Sequence, residues 1–185
     1  MVAIFLLLVA VLVTFPAISA LRERGRAASG ARHMAGEFQR MRWQSVARRK
    51  GRGLLFEREG RGWTWRVVED GNGNGLRTTE VRRGVDPLIS GPHRLEDIFE
   101  HTKLGFPPGG PFPRIPPKRG TISNTDDPIQ FGRSDLIGFS PLGDSSSGTL
   151  YVTDGREGLY AVVLFGPTVR VRVWRYDYRG RKWIL

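Results

Sequence analysis

An apolar run at the start of the chain limits everything that can come after it. Met1–Val13 contains no polar side chain. After Thr14, Phe15 and Pro16 the run resumes as Ala17-Ile18-Ser19-Ala20-Leu21, and charge then sets in at Arg22, Glu23, Arg24 and Arg26. Drawn as a helix at ~1.5 Å per residue, the run would reach about 31 Å, which matches the ~30 Å hydrocarbon core of a bilayer. Three readings compete. A cleaved secretory signal would use the small residues Ala17-Ile18-Ser19-Ala20, but no basic residue precedes the apolar core. A single-span anchor is the second. The third is a stem in which membrane span and domain helix form one continuous element.

The continuation favours the stem. No proline occurs from Ala27 to Lys50, and Ala27, Ala31, Met34, Phe38, Met41 and Ser45 recur at alternating spacings of four and three. That is the stripe of a helix packed on one side. Arg32, Glu37, Arg40, Arg48 and Arg49 lie off it. Gly25, Gly30 and Gly36 each cost about 1 kcal/mol relative to alanine, which packing or a filament environment must offset. The helix is expected to end near Arg49-Lys50-Gly51, with basic residues at the negative end of its dipole and glycine beyond. The expected division is therefore a transmembrane part at 1–21, an amphipathic continuation at 22–50 and a β-rich domain at 51–185.

Past Gly51 the period turns from helical to alternating. Leu54–Arg58 and Trp63–Val68 read as a hairpin around Gly60-Arg61-Gly62, with Trp63, Trp65 and Val67 on one face. Asp70-Gly71-Asn72-Gly73-Asn74-Gly75 has the oxygen spacing that opens a calcium loop, which makes Asp70, Asn72 and Asn74 weak metal candidates. The closing glutamate belongs at Val81, however, and Glu80 comes one residue early; strands rather than helices flank the stretch. A Gly/Asn turn using positive φ angles is the expected reading. Leu76–Ile89 is expected to hold one or two edge strands, interrupted by Gly84 and Pro87, and Arg94–Phe99 a short helical turn. His93 and His101 stand alone, as surface or packing residues.

The Pro/Gly segment 105–120 cannot be helix or interior strand. A polyproline ligand is one reading; a long surface loop is the expected one. Thr121–Phe139 returns to strand-like sequence. Ser145-Ser146-Ser147 invites a nucleophile reading, but no general base is near in sequence and Gly-x-Ser-x-Gly is missing. A hairpin loop accounts for it. No triad, metal-ligand cluster, paired carboxylates or Walker motif stands out, so no catalytic residue, cofactor or small-molecule substrate is expected. Without cysteine there is neither a disulfide nor a thiolate ligand.

Toward the C-terminus, Leu159–Leu164 reads as a buried strand. Val169, Val171 and Val173 then alternate with Arg170, Arg172 and Trp174. The formal net charge of +11 favours contact with lipid headgroups, nucleic acid or acidic proteins, or else only solubilises the chain. Its densest expression is Val169–Trp183. There Arg170, Arg172, Arg175, Arg179, Arg181 and Lys182 face one acid, Asp177, and Trp174, Tyr176, Tyr178 and Trp183 are interleaved. Cations for phosphates and rings for bases suit DNA binding. An arginine-lined outer sheet face with packed aromatics is the alternative.

Several of these stretches, taken in order, resemble a known family. Met1-Val2-Ala3-Ile4-Phe5-Leu6-Leu7-Leu8-Val9-Ala10-Val11-Leu12, with Pro16 a turn later, is similar to the N-terminal segment of type IV pilins and pseudopilins. The Asp70–Gly75 turn after a Trp-bearing strand resembles the GspH/FimT-like minor pseudopilins. So does a strand ending in Phe139, followed by a Gly-bearing loop, Gly148-Thr149 and the apolar Leu150-Tyr151-Val152. Val169-Arg170-Val171-Arg172 keeps both arginines of that family's Gly-Arg-apolar-Arg ending but not its glycine. The leader, its cleavage site, the methylated first residue and the family's early glutamate have no counterpart after Met1; a start assigned too late or a degenerate member would explain this.

The resemblance implies an α+β, pilin-like fold with a long N-terminal helix, membrane span continuing into the domain, packed on antiparallel sheet. It implies a minor pseudopilin of a type II secretion pseudopilus or a type IV pilus, supporting protein secretion, with other pilins as partners and a separate ATPase as motor. The place would be the bacterial inner membrane, single-pass, with the C-terminal domain in the periplasm. The arginines after Leu21 run against the positive-inside tendency, which a basic leader would restore. Ala27, Ala31, Met34, Phe38 and Met41 would pack the helix on its own sheet. DNA uptake through the basic C-terminal region, as in some FimT-like relatives, is the alternative function.

Overall fold

Helix gives way to strand where the apolar period changes, at Gly51. The computed structural model describes the backbone of residues 2–132 and 134–185 and the side chains from Gly25 onward, Arg133 excepted. The first helix, α1 (Val2–Arg48), enters the described core at Ala27. Ala27, Ala31, Met34, Phe38, Met41 and Ser45 are all fully buried. Gly30 lies on this side as well, and a Cβ there would come within 2.6 Å of Thr102 Cγ2. Close approach thus accounts for one helical glycine.

The helix stops two residues sooner than its glycine suggests. Arg49 itself takes the left-handed conformation, φ 55°. Its amide donates to the Val46 carbonyl and that of Lys50 to the Ser45 carbonyl. A side chain thus sits where helices commonly place glycine. Gly51 instead passes under Asp70, whose Cβ would lie 3.1 Å from an added Cβ.

Two antiparallel sheets make up the rest. β1 (Arg52–Glu59) and β2 (Gly62–Glu69) form the expected hairpin, closed at Glu59 opposite Gly62. α2 (Thr78–Arg82) and β3 (Leu88–Arg94) come next, then α3 (Leu95–Ile98) and the short strands β4 (Lys103–Leu104) and β5 (Ile129–Gln130). β6 (Leu136–Phe139), β7 (Gly148–Thr153), β8 (Leu159–Phe165), β9 (Arg170–Asp177) and β10 (Lys182–Ile184) complete the chain. The first sheet has four strands in the order β3-β2-β1-β6; the second has six, in the order β10-β9-β8-β7-β4, with β5 also on β7.

The main core lies between α1 and the inner faces of both sheets. Met34, Phe38 and Met41 meet Leu54, Phe56, Trp65 and Ile137 from the first sheet and Leu150, Val152, Val162 and Leu164 from the second. Phe38 packs edge-on to Phe131, with ring centres 5.9 Å apart. On the far side of the first sheet, Leu55, Val68 and Leu136 are covered by Leu76 and by Val81 of α2.

This architecture corrects the expected fold class. The expectation was an α+β, pilin-like arrangement built on a span running into the domain. The described molecule is mostly antiparallel sheet, in two sheets rather than one, and its helix contributes 24 residues, 25–48, packed across both. Among the described residues no helix is long and apolar enough to cross a membrane. Arg26, Arg32, Glu37, Arg40, Arg42 and Arg48 break up this part of α1. The apolar run of 1–21 lies outside the described side chains.

Local expectations shift too. Residues 76–86 hold the α2 turn rather than an edge strand, and the edge strand comes later, as β3. Thr121–Phe139 is mostly irregular, with strand only at β5 and β6. Val169 adopts φ 48°, ψ 37° after a 3-10 turn at Gly166–Thr168. For a β-branched residue that is an outlier. It falls where the family resemblance expects glycine.

Candidate functional site

Four features could carry function: the outer face of α1, the basic strands at the C-terminus, the Asp70 loop, and a cleft beside that loop. The α1 face comes from the same periodicity that builds the core. With one stripe buried, the opposite stripe of Gly25, Arg32, Gly36, Arg40 and Trp43 is exposed. Trp43 is 70% exposed and Val46 43%. Among the described residues, a Cβ at Gly25 or at Gly36 would have nothing within 4 Å. The fold therefore explains Gly30 but neither of the outward glycines.

The basic stretch is divided by β-pleating. Val171 and Val173 face the helix, so Arg170 and Arg172 point to the outer face with Trp174 and Tyr176. Arg175 returns to the helix side, opposite Tyr160. Arg179 and Arg181 lie in the β9–β10 turn, and Lys182 opens β10. From Arg170 to Asp177 the strand covers about 23 Å at ~3.3 Å per residue. The six cations thus belong to two ends and two faces. None of the six forms an ion pair among the described residues.

Their aromatic neighbours turn inward. Tyr176 and Trp183 are buried with Tyr151, Leu159 and Ala161 under Phe112 and Ile115 of the proline-rich segment and under Ile122 just beyond it. Trp183 Nε1 donates to the Pro113 carbonyl at 2.7 Å. Phe112 meets Tyr176 edge-on, with centres 5.4 Å apart. Burial pushes the Tyr178 hydroxyl up to about 12, helped by the charge of Asp154. These rings are engaged in a second core, so stacking on bases would require opening it. The surface loop expected at 105–120 is a lid on the second sheet. Its apolar residues, Phe106, Phe112 and Ile115, were the available signal, since a fully solvated loop does not need them.

The Asp70 loop closes on itself. Asp70 is buried, and its carboxylate accepts amide protons from Asn72 (3.2 Å), Gly73 (2.7 Å) and Gly75 (2.8 Å). Asp86, fully buried, accepts from Gly71 and Arg77. The side-chain amides of Asn72 and Asn74 donate to Glu80. The candidate ligands Asp70, Asn72 and Asn74 are thus brought together with Glu80, but through hydrogen bonds that a cation would have to replace. Among the described residues no group of three or more His, Cys, Asp or Glu is placed to hold a metal.

Beside this loop a cleft of about 830 Å³ opens between Arg49-Lys50-Gly51, Asp70–Leu76 and the β6–β7 connection. The serines there are structural: Ser146 Oγ accepts the Gly138 amide, Ser147 Oγ accepts that of Gly166, and Ser145 Oγ donates to the Ser146 carbonyl. His93 leans on Trp65 with ring centres 5.7 Å apart, and His101 pairs with Glu100.

A buried ion pair escaped sequence reasoning altogether. Arg52, 4% exposed, donates through Nε to Glu69 at 3.0 Å and through Nη1 to Gln44 of α1 at 2.7 Å. Lys50 adds a second cation to Glu69 at 3.4 Å. No family model, curated protein or solved structure matches the chain.

Proposed function

We propose that this chain is a minor pseudopilin of a type II secretion pseudopilus or type IV pilus, held in the inner membrane by its apolar N-terminus and assembled through α1. The carrying observation is the outer face of α1. It presents Trp43 and Val46 to solvent and holds Gly25 and Gly36 with no contact among the described residues to require them. Two such glycines weaken a helix by about 1 kcal/mol each, and small residues let a neighbouring helix approach closely. Burying that face against other subunits' helices would offset the loss. The reading also draws on the apolar run and on the ordered motifs of the family resemblance.

A photo-crosslinker at Trp43, in cells that produce the chain, tests it. Capture of another subunit with an apolar N-terminal helix is the expected result, and Gly36→Glu should abolish it while leaving the far-UV spectrum unchanged. No such partner, or capture indifferent to Gly36→Glu, would refute the reading.

DNA binding is the second reading, favoured by the absence of acid partners, among the described residues, for Arg170, Arg172, Arg175, Arg179, Arg181 and Lys182. With the rings turned inward, these cations would hold phosphates without stacking bases.

A further inference from the structure

Strand topology puts two connections at one end of the second sheet. β7 ends at Thr153 and β8 begins at Leu159; β9 ends at Asp177 and β10 begins at Lys182. Tyr160 pairs with both Val152 and Arg175, so the turns 154–158 and 178–181 lie side by side. Lys103 of β4 pairs with Thr153 at the same end. The described part of α1 begins here as well. Ala27 Cβ would lie 3.1 Å from a Cβ at Gly158, Arg26 pairs with Glu100 at 3.4 Å, and Arg26, His101, Asp154 and Arg156 line one hollow.

The charges at this end are sorted. Asp154 accepts the amides of Arg156 and Gly158, and Asp177 those of Arg179 and Gly180, so both carboxylates turn into their own turns. Glu100 is engaged by Arg26 and His101, and Glu157 is turned to solvent. Lys103, Arg179, Arg181 and Lys182 are exposed and lack an acid partner among the described residues. Arg22 and Arg24 precede Gly25 in the chain. The apolar run ends at Leu21, and the four residues from there to Gly25 reach on the order of 14 Å at full extension. The Debye length is about 8 Å at physiological salt. Whatever holds the apolar run therefore keeps this end within one or two screening lengths.

We infer that the end of the domain carrying Lys103, Arg179, Arg181 and Lys182 docks on the anionic headgroups of the bilayer that holds the N-terminal run. The inference rests on the membrane-held reading above. In this state the domain lies against the surface and the subunit waits. Leaving the bilayer for a filament breaks these contacts together with the apolar ones. The basic turn then acts as a retention device set by lipid charge.

The full chain in vesicles tests it. The chain lacks cysteine, so Glu157→Cys at the docked end and Leu142→Cys at the opposite end each carry one environment-sensitive dye. Vesicles of phosphatidylcholine alone are compared with vesicles of phosphatidylcholine and phosphatidylglycerol, using acrylamide as a neutral quencher. Quenching at position 157 should fall severalfold on the mixed vesicles and recover in high salt or in Arg179→Ala, Arg181→Ala, Lys182→Ala. Quenching at position 142 should not depend on lipid. Equal quenching at position 157 in both lipids, or shielding that survives the triple substitution, overturns the docking while flotation still supports the anchor. A chain that floats with neither vesicle overturns the anchor reading and this inference with it. Shielding of position 157 by duplex DNA but not by anionic vesicles assigns these cations to nucleic acid and overturns the inference too.

Discussion

At the level of single residues, the pair Arg52–Glu69 fastens the end of α1 to the first hairpin. The Arg52 hydrogen bond holds the Glu69 carboxyl below its ordinary value of 4.5, against the opposing effect of burial, and Lys50 adds to the lowering. Because the folded state prefers the charged form, this contribution is complete above pH 4.5 and is lost as pH falls through the lower folded value. Glu69→Gln keeps an acceptor but removes the charge that compensates the buried Arg52 guanidinium, and should cost roughly 2–3 kcal/mol at neutral pH. The loss should shrink toward zero in denaturant titrations run well below pH 4 (on the order of the unperturbed carboxyl range). An undiminished loss in acid would mean that the glutamate acts through packing alone. None of this was legible in the sequence, because Arg52 and Glu69 are an ordinary surface pattern until β1 and β2 pair them. Val169 was half legible: the missing glycine of the family resemblance marked the position, and the left-handed backbone gives the reason a glycine fits there.

Among the elements, the proline-rich segment changes meaning most between sequence and structure. Its prolines correctly exclude helix and interior strand, but they say nothing about which side of the segment is dry. Phe112 is 1% exposed and Trp183 6%, so the lid and the β9–β10 hairpin stabilise each other. Phe112→Ala should cost about 3–4 kcal/mol. Trp183→Phe should cost about 1–2 kcal/mol by leaving the Pro113 carbonyl without its donor. Thermal unfolding of the full chain reads both. If Phe112→Ala shifts the midpoint no more than an exposed substitution such as Lys118→Ala, the segment is a solvated loop after all. α1 shows the opposite case. Its buried stripe could be read in advance from spacing alone, since a helix repeats its faces every few residues whatever it packs against.

Across the whole molecule, the net charge of +11 does not act as one patch. Contiguous cations at 170–182 become two groups at opposite ends of β9, because each strand residue alternates face and moves on by ~3.3 Å. This sets a test for DNA. Binding through phosphates alone should weaken steeply with salt, with a log–log slope of about −0.9 per contact. Arg179→Ala, Arg181→Ala, Lys182→Ala should then flatten that slope, whereas Trp174→Ala should leave it unchanged. Anisotropy of a labelled duplex with the full chain measures it, and a salt-independent affinity excludes the phosphate mode. By itself the sequence determined what depends on local order: the apolar start, the helical stripe, the β1–β2 hairpin, the Gly/Asn turn and the absence of cysteine chemistry. Tertiary structure alone decided that the sheet is double, that the fold is not the expected α+β arrangement, that the aromatics face a proline lid, and that the cations part company. Those outcomes depend on contacts between residues far apart in the chain, and local periodicity carries no record of which distant surface a face will meet.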